Sequence, residues 1–263
     1  MYSIVDGYGW GEMYASSPYL ELIRKYPTDV RNSFISPQYD PKSTDVMAYY
    51  VCDDYMSDGV VVTKSGDYYN YVENGATKTL NKKSNGAGDF EYTINVGGKE
   101  RKVLIDRKMV DRNGYFKYFV MKWTGQEGVA QLFSPVVSRL GEIYLIRAEA
   151  NAKLGNTTAA LTDVNVIRTR AAIPTVGLWT AANLNGKSTL DVVLEERQLE
   201  LAWEGHRKFD IFRNGKTLDR IYPSVHLSGN NVVKTVSANS NLIVEYIPQS
   251  QIILSKGVLV QNP

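Results

Sequence analysis

The chain has 263 residues, 43% of them apolar, which is enough to bury a full core as one large domain or two small ones. Thirty basic residues against 28 acidic ones leave a net charge of +2 with the signs intermixed, which excludes the broad basic surface that nucleic acid or anionic lipid requires. The single cysteine, Cys52, excludes intramolecular disulfides and multi-thiolate zinc sites, and no stretch of 18 apolar residues or basic, apolar leader is present.

In chain order, GYGWG at residues 7–11 sets Tyr8 and Trp10 between glycines. The spacing is not that of a dinucleotide fingerprint. Flat apolar faces on a pliable backbone suit the C–H faces of a sugar ring, while Asn, Asp and Arg nearby suit its hydroxyls. Tyr8 and Trp10 are therefore candidate carbohydrate-binding residues, and Tyr14 and Tyr39, close in sequence, join them. The competing reading is that these rings fill a loop-rich core; if Trp10 is enclosed, the aromatics of 49–71 take its place. PYLELIRKY at 18–26 has helical spacing, with Pro18 in the first turn and Pro27 as the stop. DDYMSDG at 53–59 fails as a calcium loop, because Met56 and Ser65 stand at ligand positions. Val60 to Lys64 reads as a strand, and EYTINVGGKERKVLID at 91–106 as a hairpin turning through Gly97 and Gly98.

Fifteen of the eighteen tyrosines precede residue 120. Residues 1–134 are thus a Tyr-rich loop and hairpin region, expected to face ligand, and 135–263 a helical region, the two forming one structural domain. Apolar residues at Val136, Leu140, Ile143, Tyr144 and Ala148 predict a helix to Leu154, capped by Gly155. A second helix follows from Asn156 or Thr157 to Ala171 and ends before Pro174. With Ala148 and Ala160 at close-contact positions, this pair reads as one tetratricopeptide-like hairpin, a unit that ordinarily needs stacked neighbours. A third helix is expected from Thr189 to Phe212. The predicted class is mainly α with loop-rich and β-hairpin regions.

LEERQLELAWEGHRKFDIFRNGK at 194–216 concentrates charge among apolar residues. On one helix Glu196, Glu200 and Glu204 fall four apart, with Arg197 and Arg207 each three residues from an acid, and Leu194, Leu201 and Phe209 mark it as packed. Glycoside-cleaving carboxylates face one another across a cleft from different elements, so the row reads as a partly buried ion network rather than an active site. Gly205 inside the helix points to a close backbone approach. His206 has no nucleophile pattern beside it, and His226 has no second histidine with which to share a metal.

The runs RLGEIYLIRAEANAKLGNTTAALTDVNVIRTRAAIP, LEERQLELAWEGHRKFDIFRNGK and EYIPQSQIILSKGVLVQNP resemble the C-terminal half of the SusD/RagB family of Bacteroidetes outer-membrane nutrient-binding lipoproteins. Lys122–Trp123, Asn165 with Arg168 and Arg170, the terminal Gln261–Pro263, and Asp29 with Arg31 match the family's short motifs. The stretch between Asp29 and Lys122 is longer than the family's usual connection, and Cys52 lacks a lipobox context. The resemblance implies a SusD-like, non-enzymatic protein with no catalytic residues, cofactor or metal. It would capture oligosaccharide, or in some relatives peptide, and partner a TonB-dependent transporter at the cell surface of the outer membrane. The lipid anchor would belong to the full-length precursor and not to this chain. The competing readings are a tetratricopeptide-like protein-binding scaffold and a glycoside hydrolase.

Overall fold

The computed structural model describes residues 14–53, 57–84, 90–110, 118–129, 132–220 and 233–262. Helix α1 (Ser17–Ile23) starts with Pro18 in its first turn, where a missing N–H costs nothing. A 3₁₀ turn, Val30–Phe34, leads into β1 (Ile35–Pro37), which pairs antiparallel with β9 (Tyr118–Val120).

Between these two strands lie β2 (Val46–Val51), β3 (Ser57–Ser65), β4 (Tyr68–Glu73), β5 (Ala76–Thr79), β6 (Asn81–Ser84), β7 (Phe90–Val96) and β8 (Lys99–Arg107). They form one seven-stranded antiparallel sheet of order β5-β4-β3-β2-β8-β7-β6. Strands β5 and β6 occupy opposite edges although only Leu80 separates them in sequence, so the sheet curls on itself. Leu80 donates its N–H to Tyr69 O at 2.8 Å, and its side chain sits among Ala48, Tyr50, Val62, Tyr71 and Ile94. The period-2 alternation of strands makes Tyr49 and Tyr50 serve different cores: Tyr50 packs with that inner set, and Tyr49 with Tyr19, Leu20 and Ile23 of α1. The β7–β8 hairpin turns through Gly97 and Gly98, both at positive φ, as the sequence predicts.

The fold is therefore mixed α/β rather than mainly α. Strand β5 is exposed along its whole length and β6 nearly so; lacking an apolar side to bury, neither carries the alternation by which a strand is recognised.

The helical layer comprises α2 (Leu140–Lys153), α3 (Thr157–Arg170), α4 (Thr189–Glu200) and α5 (His206–Phe212), followed by the short β10 (Leu218–Asp219) and β11 (Thr235–Val236) pair and α6 (Gln249–Leu254). Helices α2 and α3 form a helical hairpin, its first helix beginning at Leu140 rather than Val136 and its turn at Gly155, whose φ is +79°. Ala148 and Ala160 are fully enclosed, in a core with Leu145, Val164, Ile167, Trp179 and Val193. Each large apolar side chain so buried contributes roughly 1.5–3 kcal/mol. Helix α4 begins with a reciprocal capping box between Ser188 and Asp191.

The expected third helix is two helices. The chain breaks after Glu200, with Trp203 at φ +62° and Gly205 at φ +80°. A Cβ at Gly205 would meet nothing within 4 Å; glycine is demanded there by the left-handed backbone, not by a close approach. The periodicity runs across the break because Leu201 stays buried and Trp203 sets its ring edge-on to Tyr19 at 4.7 Å. Phe209, expected to pack, is 67% exposed. Among the described residues no helix is long and apolar enough to cross a membrane.

Candidate functional site

The charged motifs converge on one buried network. Asp29 caps the 3₁₀ turn by accepting from Arg31 N at 2.9 Å, and it also receives the Arg31 guanidinium. Arg31 reaches on to Glu196 of α4 at 2.7 Å. The second oxygen of Glu196 accepts from Arg168 of α3 at 2.7 Å, and Arg168 also bonds Gly177 O. Glu200 is held by Arg170 at 2.5 Å and by Arg139. Glu204, in the break, is held by Lys122 at 2.5 Å and by Arg139 at 2.8 Å. Asn165 exchanges two hydrogen bonds with the Trp179 backbone, at 2.8 and 2.9 Å.

The ion pairs of Glu196, Glu200 and Glu204 tie the 3₁₀ turn, α3, Arg139 and Lys122 to α4 and the break that follows it, and the side chains of Arg31, Glu196 and Glu200 are only 1% exposed. The arginines three residues from the acids act otherwise than predicted: Arg197 pairs with Asp210 at 2.8 Å, and Arg207 donates to Leu194 O. Both arginines thus bond to partners on neighbouring elements rather than to the acids three residues away.

The electrostatics follow. Desolvation would lower the pKa of Arg31, but Glu196 and Asp29 outweigh it and raise it. Desolvation lowers Lys122 despite Glu204. It would raise Glu204, yet the hydrogen bonds from Arg139 and Lys122 hold that carboxyl below its usual range. A general acid must be reachable by substrate; the carboxylates of Glu196 and Glu200 are enclosed and held by guanidinium groups. His206 stands 3.8 Å from Glu142. Among the described residues no group of His, Cys, Asp and Glu is arranged to hold a metal.

The strand region is different. A groove of about 660 Å³ runs between α1 and the sheet, lined by Glu21, Lys25, Tyr50, Tyr69, Phe90 and Tyr92 and bounded by Lys187 and Glu195 at the start of the α4 side. This volume lies within the range of small-molecule sites. Phe90 also borders a second hollow, of about 570 Å³, lined by Tyr68, Thr79, Asn81 and Lys82. Tyr68 is 53% exposed and Phe90 50%. The Lys82 ammonium stands 3.8 Å from the Phe90 ring centroid and 5.4 Å from that of Tyr68, and Tyr69 and Tyr92 meet edge-on at 5.2 Å. Register explains the assembly: Lys82 pairs with Tyr92 and Ser84 with Phe90, so alternate side chains of β6 and β7 share one side of the sheet. Flat rings flanked by short polar side chains can stack a sugar face and bond its hydroxyls.

Of the sequence candidates, Tyr8 and Trp10 lie outside the described residues. Tyr14 forms an isolated bridge with Phe119, their rings 5.5 Å apart. Tyr39 donates its hydroxyl to Asp106 at 2.9 Å, and desolvation followed by Asp106 pushes its pKa up to about 12. Neither Tyr14 nor Tyr39 borders the two hollows. Tyr68 falls within the 49–71 aromatics named as the alternative, in the tyrosine-dense run at 68–71, whereas no sequence pattern singles out Lys82 or Phe90.

Comparison with known proteins places these features. A profile of the SusD family matches residues 2–263. SusD-like protein P38 of Formosa agariphila is 34% identical over 102 residues, covering 37% of this chain and 20% of that protein. SusD-like protein P25 of the same organism is 34% identical over 84 residues, 32% of this chain and 16% of its own length. A SusD superfamily protein of Bacteroides thetaiotaomicron of known structure aligns over 97% of this chain and 43% of its own, at 21% identity and a TM-score of 0.59. The alignments thus span less than half of each of these relatives. The match along the chain and the shared fold have one conclusion: this protein belongs to the SusD family.

Proposed function

We propose that the chain is a non-catalytic, cell-surface oligosaccharide-binding protein acting with a TonB-dependent transporter in an outer-membrane uptake system. Its ligand-facing part would be the strand-rich first half, 1–134. The observation that carries this reading is the contrast within one family fold: the acids of the helical layer are buried and saturated, whereas Tyr68 and Phe90 stand half exposed over hollows of sugar-binding size. Tyr8, Trp10, Tyr14 and Tyr39 remain proposed contributors. Membership of the SusD family supports cell-surface saccharide capture, and the saturated acids argue against hydrolysis.

The test is binding of the purified chain to an array of plant, algal and microbial oligosaccharides, with release of new reducing ends assayed on every hit. Saccharide binding without new reducing ends is expected, and Phe90→Ala should weaken it about tenfold, a loss of about 1.4 kcal/mol. Cleavage of a bound chain would turn the reading into a hydrolase. A second role, protein contact through the helical layer, is favoured by one observation: Val137, Leu140 and Leu154, at and on α2, are 94%, 70% and 75% exposed. Co-purification with the cognate transporter, lost on Leu140→Asp, would support it.

A further inference from the structure

The two hollows differ from a neutral sugar platform in their charge. Two of the lysines that line them are neutralised in place: Lys102 pairs with Glu91 at 3.0 Å, and Lys187 pairs with Glu195. Arg24 is likewise taken by Asp106. Lys25 and Lys82 have no carboxylate within ion-pairing distance among the described residues, although nearby lysines of the same sheet, Lys78, Lys83 and Lys99, each have one. Glu21 is the lining acid without an ion pair there, and desolvation raises its pKa against the pull of Lys102. Among the described residues, with the pairs cancelled, two ammonium groups therefore face one carboxylate, and the balance is positive.

The two cations are also placed rather than loose. Lys82 is held over the Phe90 ring, which occupies a face of the ammonium and leaves its remaining N–H donors for the hollow. Lys25 stands half-buried near the rings of Tyr26 and Trp179, at 5.8 and 5.9 Å. Desolvation lowers its pKa, and the nearby Lys187 and Arg168 act in the same direction, while Glu195 opposes them. A partly desolvated cation among other cations is stabilised by an arriving anion. The same rings can stack a sugar.

Resting on the saccharide reading above, we infer that the ligand is an acidic oligosaccharide, its carboxylate or sulfate groups received by Lys82 beside Phe90 and Tyr68 and by Lys25 in the adjoining groove. The stacked rings hold the sugar face, and the ammonium groups select the charged residue. Uronates and sulfate esters share the chemistry that recognises them here.

Isothermal titration of the 263-residue chain separates the alternatives. The probes are oligogalacturonides, sulfated galactan oligosaccharides, and neutral galactan and xylan oligosaccharides of matched length. At least one acidic series should bind more tightly than the neutral ones, and added salt should weaken it. Lys82→Ala and Lys25→Ala should each weaken acidic binding roughly tenfold, as expected for losing a charge-assisted hydrogen bond. Lys82→Arg should retain most of it, and the melting temperature should not move in any of these variants. Which acidic series binds identifies carboxylate or sulfate. Equal binding of neutral and acidic chains, or acidic binding unaltered in both alanine variants, overturns the charge assignment and leaves saccharide capture standing. Failure of every saccharide to bind overturns both.

Discussion

Arg168 and Glu196 meet at 2.7 Å with almost nothing of either side chain in solvent; Lys83 and Glu100 meet at 2.8 Å with about half of each exposed. The distances are nearly equal and the physical consequences are opposite. In the helical layer the charges have lost water, so each persists only because others surround it, and the network fixes α3, α4 and the 3₁₀ turn relative to one another. On the curled sheet the charges keep their water and cost little to rearrange. Charges that must be saturated make a scaffold, and charges left unsaturated beside exposed rings are available to a ligand.

The largest effect should come from cutting the scaffold. Glu196→Ala leaves Arg31 and Arg168 enclosed without that carboxylate, and the expected loss is about 3–5 kcal/mol in denaturant unfolding. Retention of wild-type stability would mean the network is dispensable. Next is the break between α4 and α5: Gly205→Ala forces an L-residue into the left-handed region and should cost about 1–2 kcal/mol. An unchanged denaturation midpoint would show that the break relaxes freely.

A pH titration sharpens the contrast further. Because Arg139 and Lys122 depress the Glu204 pKa, its contribution is fully present above the unfolded carboxylate value of about 4.3 and is lost as pH falls through the lower folded value. Acid unfolding of Glu204→Gln should therefore be less steep in this window than that of the wild type, as read by circular dichroism. An identical slope would remove Glu204 from the acid-sensitive set. The smallest effect belongs to the exposed pair: Lys83→Ala should leave the melting temperature unchanged, and a clear drop would blur the division between the two regions.

Some of this was legible in the chain and some was not, for identifiable reasons. Apolar spacing and Gly155 disclosed the α2–α3 hairpin, and the Gly97–Gly98 pair disclosed the β7–β8 turn, because both signals are local. The division of Leu194–Lys216 was hidden, since Leu201 and Trp203 keep burying apolar surface across the break and only a backbone angle changes. The scaffold role of the glutamates followed from their spacing, but their partners did not: Arg31 and Glu196 are 165 residues apart. The hollows were the least visible. Tyr68, Lys82 and Phe90 come from three strands brought together by pairing across a sheet whose edge strands carry no apolar pattern.

The charged helices hold the fold and, in our proposal, the curled sheet meets the ligand; hydrogen exchange with and without the oligosaccharide of strongest array signal separates the two roles. Binding should slow exchange in β4, β6, β7 and α1 and leave Leu194–Lys216 as it was. Slowing confined to Leu194–Lys216, with the sheet unaffected, would contradict the account and move the site onto the charged helices.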